Sequence, residues 1–472
     1  MNKAEKIVTQ PRAMISVLML GTFVGLFGET ALNMALTNLM EQFVISAGLA
    51  QWLVTGYLLT LAIFVPISAI LVRWFNTRSL VISALFISLL GCMVAALASS
   101  FPLLMIGRII QAIGTGIILP VLMSAALLIF PLYQRGAVMG VIGLTITLAP
   151  ALGPTLSGFI LTSMNWHAIF WISAICYIAV LALAFYSMEH IGTLTKPRID
   201  IISLLLSSLG FSGLIYGLAV LAEHSITSIN VLGSVLIGVL SLLLFCWRQK
   251  QLAMPMINLH IFKHSIFVVG LLMMIVCMMS VLSVAIILPI YLKEVLLFSA
   301  AIAGVLLLPG NIINVIFSPL IGFLYNRYDA RFFAVMGALF MLLSACIFLF
   351  VVNEHTEAWK IVVAFMSLCM GVTCVIMPAQ TTALSDLTPN LYADGSAIWN
   401  TLYQVSGALG TSIAITLMSY FRENALSQNS AISALSLGTH AVFYFTLALS
   451  IIALSLAFRL KKPLAKAALS PK

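Results

Sequence analysis

Long apolar runs separated by short polar connectors dominate the chain. A helix needs about 20 apolar residues to cross a hydrocarbon core of about 30 Å. Fourteen runs meet that measure: 13–36, 51–72, 80–98, 102–129, 136–163, 167–187, 201–222, 229–247, 265–292, 300–324, 332–352, 361–384, 396–420 and 437–458. The pattern therefore predicts an all-α integral membrane protein with fourteen transmembrane helices. Composition closes the alternative. Of the 472 residues, 62% are hydrophobic and 7% charged, against about 25% charged in a soluble domain. The first run is long enough to span and carries a glutamate, so it is expected to stay as a helix and not to be removed as a signal peptide.

Charge placement orients the spans. With the N-terminus inside, eighteen of the 22 Lys and Arg residues fall in segments on that side and three on the other. The positive-inside rule then places both termini in the cytoplasm of a cell (inner) membrane. The net charge of +9 is spread over connectors and termini and forms no patch of the kind that binds nucleic acid. The seven cysteines all lie inside apolar runs, without metal-ligand spacing, and read as buried thiols.

Three blocks follow: residues 1–190 with six spans, 191–260 with two inserted spans and their connectors, and 261–472 with six more. The tail of span 2, LVRWFNTR (71–78), resembles the tail of span 10, GFLYNRYDAR (322–331), in placing a basic turn at a helix exit. Arg73, Arg78, Asn326, Arg327, Asp329 and Arg331 are therefore candidates for cytoplasmic gate loops. Repeats of this kind build two bundles around a midplane site in many transporters.

Of thirteen acidic residues, only Glu29 lies deep in a span, and Arg108 is its basic counterpart. A charge at the bilayer centre costs at least ~2.5 kcal/mol, which marks such residues as functional candidates. Glu29 lies roughly 24 Å from the cytoplasmic boundary and Arg108 roughly 9 Å from the opposite one, so the two are level. An ion pair or a water-bridged pair fits that geometry, and a carboxyl there can load and unload a proton against a fixed guanidinium. The bland alternative is a structural bridge between spans 1 and 4.

Polar stripes accompany the pair. Glu29 and Asn33 share a helical face, as do Arg108, Gln111 and Thr115. Asn311, Asn314 and Ser318 mark span 10, Gln380 lies beside Pro378, and Ser396, Asn400, Gln404 and Thr411 mark span 13. Together they describe a cavity with sparse polar groups. Span 9, GLLMMIVCMMS (270–280), offers Met274 and Met278 as an adaptable apolar wall, and Phe27, Tyr57 and Tyr403 are candidate aromatic walls. Metalloprotease, Walker A, nucleophile-elbow and dinucleotide signatures are missing, so no catalytic residue is expected and nucleotide-driven transport by this chain alone is excluded.

Several segments together resemble the major facilitator superfamily, and within it the 14-span drug:proton antiporters. They are ETALNMALTNL (29–39), QWLVTGYLLTLAIFVPIS (51–68), GRIIQAIGTG (107–116), NWHAIFWIS (165–173), MPMINLHIF (254–262), AGVLLLPG (303–310) and GSAIWNTLYQVSGALG (395–410). Gly140, Ala149, Gly153, Pro154 and Gly158 look like the family's antiporter motif, with alanine for one glycine. Two departures stand out. Arg73 replaces the acid expected after span 2, which would shift the loop's charge relay towards Asn326, Arg327 and Asp329. Tyr403 replaces an arginine often seen in span 13.

The resemblance implies two pseudo-symmetric six-helix bundles with two helices inserted between them. It implies a secondary active transporter that exports lipophilic neutral or monocationic drugs by alternating access, with proton coupling through Glu29 and Arg108. Expected substrate contacts are Phe27, Asn33, Tyr57, Gln111, Thr115, Met274, Met278, Asn311, Asn314, Gln380, Asn400 and Gln404. Protons are the expected coupling ion, with no metal or other cofactor. Expected partners are small lipophilic substrates and membrane lipids, the chain being monomeric and without nucleic acid. The competing readings are a proton-coupled exporter of one endogenous metabolite, lipid or signalling molecule, and a membrane-embedded enzyme or receptor.

Overall fold

The computed structural model describes residues 9–191, 194, 196, 200–220, 228–252, 255–298, 300–325, 327–353, 356–426 and 431–460. Among them there are helices and no strands. In chain order they are α1 (Pro11–Ala31), α2 (Leu36–Phe43), α3 (Ala47–Trp74), α4 (Thr77–Ala96), α5 (Phe101–Ile129), α6 (Leu132–Ser163), α7 (His167–Ser187), α8 (Ile201–Val220), α9 (Ile229–Gln251), α10 (Ser265–Glu294), α11 (Ala300–Leu324), α12 (Ala330–Val351), α13 (Ala358–Ser385), α14 (Tyr392–Leu426) and α15 (Ala431–Ala457).

Thirteen stretches among the described residues are long and apolar enough to cross a membrane. The fourteenth expected span lies in α14, which has 35 residues and is diluted by its stripe of Ser396, Asn400, Gln404 and Thr411. Helix starts follow local chemistry. Pro11 and Pro102 sit in first turns, where a missing N–H costs nothing. Ser46, Asn76 and Ser228 accept from backbone N–H groups at the starts of α3, α4 and α9.

Helices α1 and α3–α7 pack chiefly on one another, and so do α10–α15. The two groups meet along α6–α11, α3–α14 and α5–α14. The inserted helices α8 and α9 pack together, and α8 also touches both α3 and α14, straddling that seam. The helix ends that carry Arg73, Arg78, Arg135 and Arg248 lie on one side of the molecule, the basic end.

The α6–α11 crossing depends on glycine. A Cβ at Gly140 would come within 2.9 Å of Gly322 Cα and 3.0 Å of the Ser318 carbonyl, so only a bare backbone allows the two helices to touch there.

Candidate functional site

Helix α1 ends two residues beyond Glu29, at Ala31, and continues as a 3-10 turn, Leu32–Ala35. Such a change of pitch within a long helix often marks a hinge. Just before it, Gly25 and Gly28 let α5 come close. A Cβ at Gly25 would meet Thr115 at 2.5 Å, and one at Gly28 would meet Gln111 Nε2 at 2.7 Å. That close approach seats Arg108 of α5 against α1.

Arg108 is fully buried. Its Nη1 donates to the Gly28 carbonyl at 2.8 Å and to Gln111 Oε1 at 3.1 Å, its Nε to the Leu53 carbonyl at 3.3 Å, and its Nη2 to the Glu29 carbonyl at 3.5 Å. The guanidinium carbon lies 4.2 Å from the centre of the Tyr57 ring. The two residues are level, but no ion pair joins Arg108 to the Glu29 carboxylate among the described residues. The fork is occupied by backbone oxygens instead. Glu29 Oε2 is buried and has no hydrogen-bond partner.

Tyr57, Gln111 and Thr115 belong to this buried cluster and not to a cavity wall. The Tyr57 hydroxyl donates to the Gly25 carbonyl at 2.9 Å and lies 2.9 Å from Thr115 Oγ1, while Gln111 Nε2 reaches Cys92 Sγ at 3.2 Å.

A cavity of about 230 Å³ lies between the two helix groups. Met278, Asn311, Asn314, Gln380, Asn400 and Gln404 line it, as expected from the sequence. So do Tyr403, Trp399, Met123, Met377, Thr147 and Thr373, of which only Tyr403 was singled out. No charged residue lines it. The polar groups come almost entirely from α11, α13 and α14. Asn314 is held by Thr373, whose hydroxyl donates to Asn314 Oδ1 at 2.5 Å.

The remaining expected contacts lie elsewhere. Phe27 packs in the apolar core around α1 and α7, because its face of α1 turns away from α11 and α13. Asn33 is exposed on the 3-10 turn. Met274 is fully buried in the apolar core, one turn from Met278.

The antiporter-like segment forms α6. Its Pro150 lines the cavity. Residue 154 is also proline and has no N–H for the Pro150 carbonyl. That carbonyl accepts from Thr30 Oγ1 at 3.0 Å instead. Gly153 permits the approach, since a Cβ there would lie 2.0 Å from Thr30 Oγ1. Ala149 is buried in the core, Gly158 faces only Met34, and Pro154 lies within the same helix.

Towards the basic end the two helix groups are closed on each other. Gln380 Nε2 reaches Met123 Sδ at 2.9 Å, Ser318 Oγ donates to the Gly140 carbonyl at 3.2 Å, and Arg135 Nη1 donates to the Tyr392 hydroxyl at 3.0 Å. Arg73 forms an ion pair with Asp394, whose side chain is fully buried. This corrects the expectation that the charge relay shifts to the loop after α11: Asp394 lies in the first turn of α14, and the charge interaction stays at Arg73. The Asn326 position lies outside the described residues. Arg327 and Asp329 are exposed, Arg78 donates to the Phe185 carbonyl at 2.7 Å, and Arg331 lies over the Phe458 ring. Asp386 caps the end of α13, 3.6 Å from His264. Neither aspartate lines the cavity.

Comparisons with known proteins agree with this architecture. A lincomycin resistance protein, LmrB, of Listeria innocua is 44% identical over 459 residues, 96% of this chain and 97% of the relative. Its namesake in Bacillus subtilis is 42% identical and covers 95% of each chain. The human organic anion transporter MFSD10 has the same fold, with a TM-score of 0.64 at 14% identity over 95% of this chain and 99% of that one. The family model described as Major Facilitator Superfamily matches residues 18–411, and the chain, a multi-pass membrane protein, belongs to that superfamily.

Proposed function

We propose that the chain is a secondary active exporter of lipophilic drugs, neutral or singly charged, driven by inward protons. The observation that carries this reading is the separation of two elements. Glu29, partly buried, has one buried carboxylate oxygen without a hydrogen-bond partner beside a committed arginine, and an uncharged cavity lies one helix turn away, with Leu26 of α1 in its wall. A charge without a partner in the membrane interior is costly, so a proton on Glu29 offsets that cost and its removal restores it. Arg108 stays charged and holds α1 through the carbonyls of Gly28 and Glu29. The relatives named for lincomycin resistance support drug export as the physiological task.

In this reading the basic end faces the cytoplasm, by the positive-inside rule. The closed contacts at that end then describe a carrier shut towards the cytoplasm. Protonation of Glu29 and occupancy of the cavity alternate, and the hinge after Glu29 carries the change to α6. The test is efflux of ethidium and of lincomycin from cells expressing the chain, with and without a protonophore. Proton uptake by proteoliposomes on substrate addition completes it. Efflux that persists unchanged when the proton gradient is collapsed would overturn proton coupling, and no efflux of any lipophilic compound would favour a dedicated endogenous substrate.

A further inference from the structure

Arg73 does more than pair with Asp394. Its backbone carbonyl accepts from Lys196 N at 3.2 Å, in the connector that enters α8. Its Nη1 donates to the Pro255 carbonyl at 3.3 Å, in the connector that leaves α9. Asp394 Oδ2 accepts from Asn258 N of that second connector at 3.2 Å. Both connectors of the inserted helix pair therefore converge on the ion pair that joins α3 to α14.

The second connector is fastened from its other side. Gln249, buried near the end of α9, accepts from Ile257 N through Oε1 at 3.2 Å and donates to Ser203 Oγ through Nε2 at 2.6 Å. Ser203 Oγ donates to Asp200 Oδ2 at 2.5 Å, and Arg248 grips the same carboxylate with hydrogen bonds of 2.6 and 2.8 Å. A continuous polar relay thus runs from the basic ends of α8 and α9, through residues 255–258, to Arg73 and Asp394. Met256, Ile257 and Ile261 are buried, which seats the segment in the apolar core instead of leaving it as a surface loop.

We infer that the inserted helix pair is a working part of the basic-end gate, with residues 255–258 as a strap that Gln249 positions across Arg73 and Asp394. The strap bonds to α3 on one side and to α14 on the other. When the basic end opens, those helices part and the strap can keep only one of them. Its contacts therefore weigh on the closed state alone. This gives the two helices beyond the twelve of the paired bundles a mechanical role in setting how readily the carrier opens at that end. The inference rests on the alternating-access part of the proposed function.

The experiment uses the full chain in liposomes, with exposed Cys176 and Cys246 replaced by serine and spin labels at Tyr133→Cys of α6 and Phe332→Cys of α12. Gln249→Leu removes the hydrogen bond to Ile257 N together with its anchor on Ser203, and is expected to shift the closed-to-open ratio towards longer distances about five-fold, the ordinary weight of the one bond that reaches the strap. Gln251→Leu, at an exposed position on the same helix end, should leave the distribution unchanged. In efflux assays Gln249→Leu should change turnover with little change in KM, because the cavity is untouched. If Gln249→Leu does not fold, Asp200→Asn loosens the same relay from its far end and should shift the distances in the same direction. A folded variant with the wild-type distance distribution would overturn the inference. The distances are read without substrate or proton gradient. A shift in a protein that exports nothing would therefore refute the proposed function and leave the strap standing.

Discussion

The Thr30 hydroxyl donates to the Pro150 carbonyl at 3.0 Å, joining the helix that carries Glu29 to the helix whose Pro150 lines the cavity. The acceptor is free because Pro154 cannot bond it, so the pair of prolines in α6 creates the docking point for α1. A change at Glu29 has a direct route to the cavity wall through this bond.

Thr30→Val keeps the shape and removes the donor. It should fold normally, with a loss of about 1 kcal/mol, and should lower efflux turnover several-fold at similar KM. Thr30→Ser should restore most of the rate. The check is concentration-dependent ethidium efflux by the three forms. Equal turnover in the valine variant would show that the bond is only structural.

Glu29→Gln should abolish proton-driven efflux while leaving the fold intact. The amide keeps the size and relieves the cost of a buried carboxylate oxygen without a partner, so thermal stability in detergent should be unchanged or raised. Survival of pH-driven exchange at the wild-type rate would remove Glu29 from the coupling site.

Arg108→Lys should be damaging although the charge is kept. The fork serves the carbonyls of Gly28, Glu29 and Leu53 together with Gln111, and a lysine is a point charge on a flexible stem. Each buried acceptor left unmade costs about 1–3 kcal/mol. The variant should lose both stability and transport, measured as melting temperature and efflux across pH 6–8. Normal transport would refute a specific role for the guanidinium.

The membrane-spanning helices and the shared level of Glu29 and Arg108 were legible because hydropathy and span length are set by the bilayer. What each buried side chain touches was not. Gln111 and Thr115 share a face with Arg108, but α1 comes so close at Gly25 and Gly28 that this face is sealed inside one helix group. Asn311, Asn314, Asn400 and Gln404 share a polar signal with them and yet face the cavity. Sequence spacing gives a face, whereas the neighbour of that face depends on long-range packing. Asp394 was missed for the same reason. Its partner Arg73 lies 321 positions away in the chain, and a connector closes over both.

The Asp200–Arg248 pair gives a pH prediction with a definite sign. Asp200 precedes α8, and the two hydrogen bonds from Arg248 hold its carboxyl well below the usual carboxylate range. A depressed pKa contributes stability that is present above the unfolded value of about 3.9 and lost as pH falls through the folded value. Across pH 5–8 the pair is therefore constant. Asp200→Asn should scale efflux by one factor throughout that window, whereas Glu29→Gln should abolish proton-driven efflux at every pH in it. A change in profile shape for Asp200→Asn would show that this pair titrates during transport.

Substrate charge gives the last prediction. The cavity wall carries carboxamides, hydroxyls, methionine and aromatic rings, and no carboxylate. Asp386 and Asp394 are held at the basic end, one beside His264 and the other against Arg73. Glu29 is the nearest acid by sequence, one turn beyond Leu26, and Arg108 sits beside it. A dication entering this space would bring two charges to a site with at most one compensating group, and an uncompensated buried charge costs several kcal/mol. A neutral or singly charged compound avoids that penalty and can still use the methionine and aromatic surface. Cells expressing the chain should therefore resist a monovalent quaternary compound better than a divalent one of similar hydrophobicity. Introducing an acid by Asn311→Asp should narrow the difference, since it places a carboxylate on the wall beside the apolar face of α11. Equal protection against the divalent compound in the unaltered protein would sink the idea, and would mean that one of the basic-end aspartates leaves its partner and reaches the cavity during the cycle.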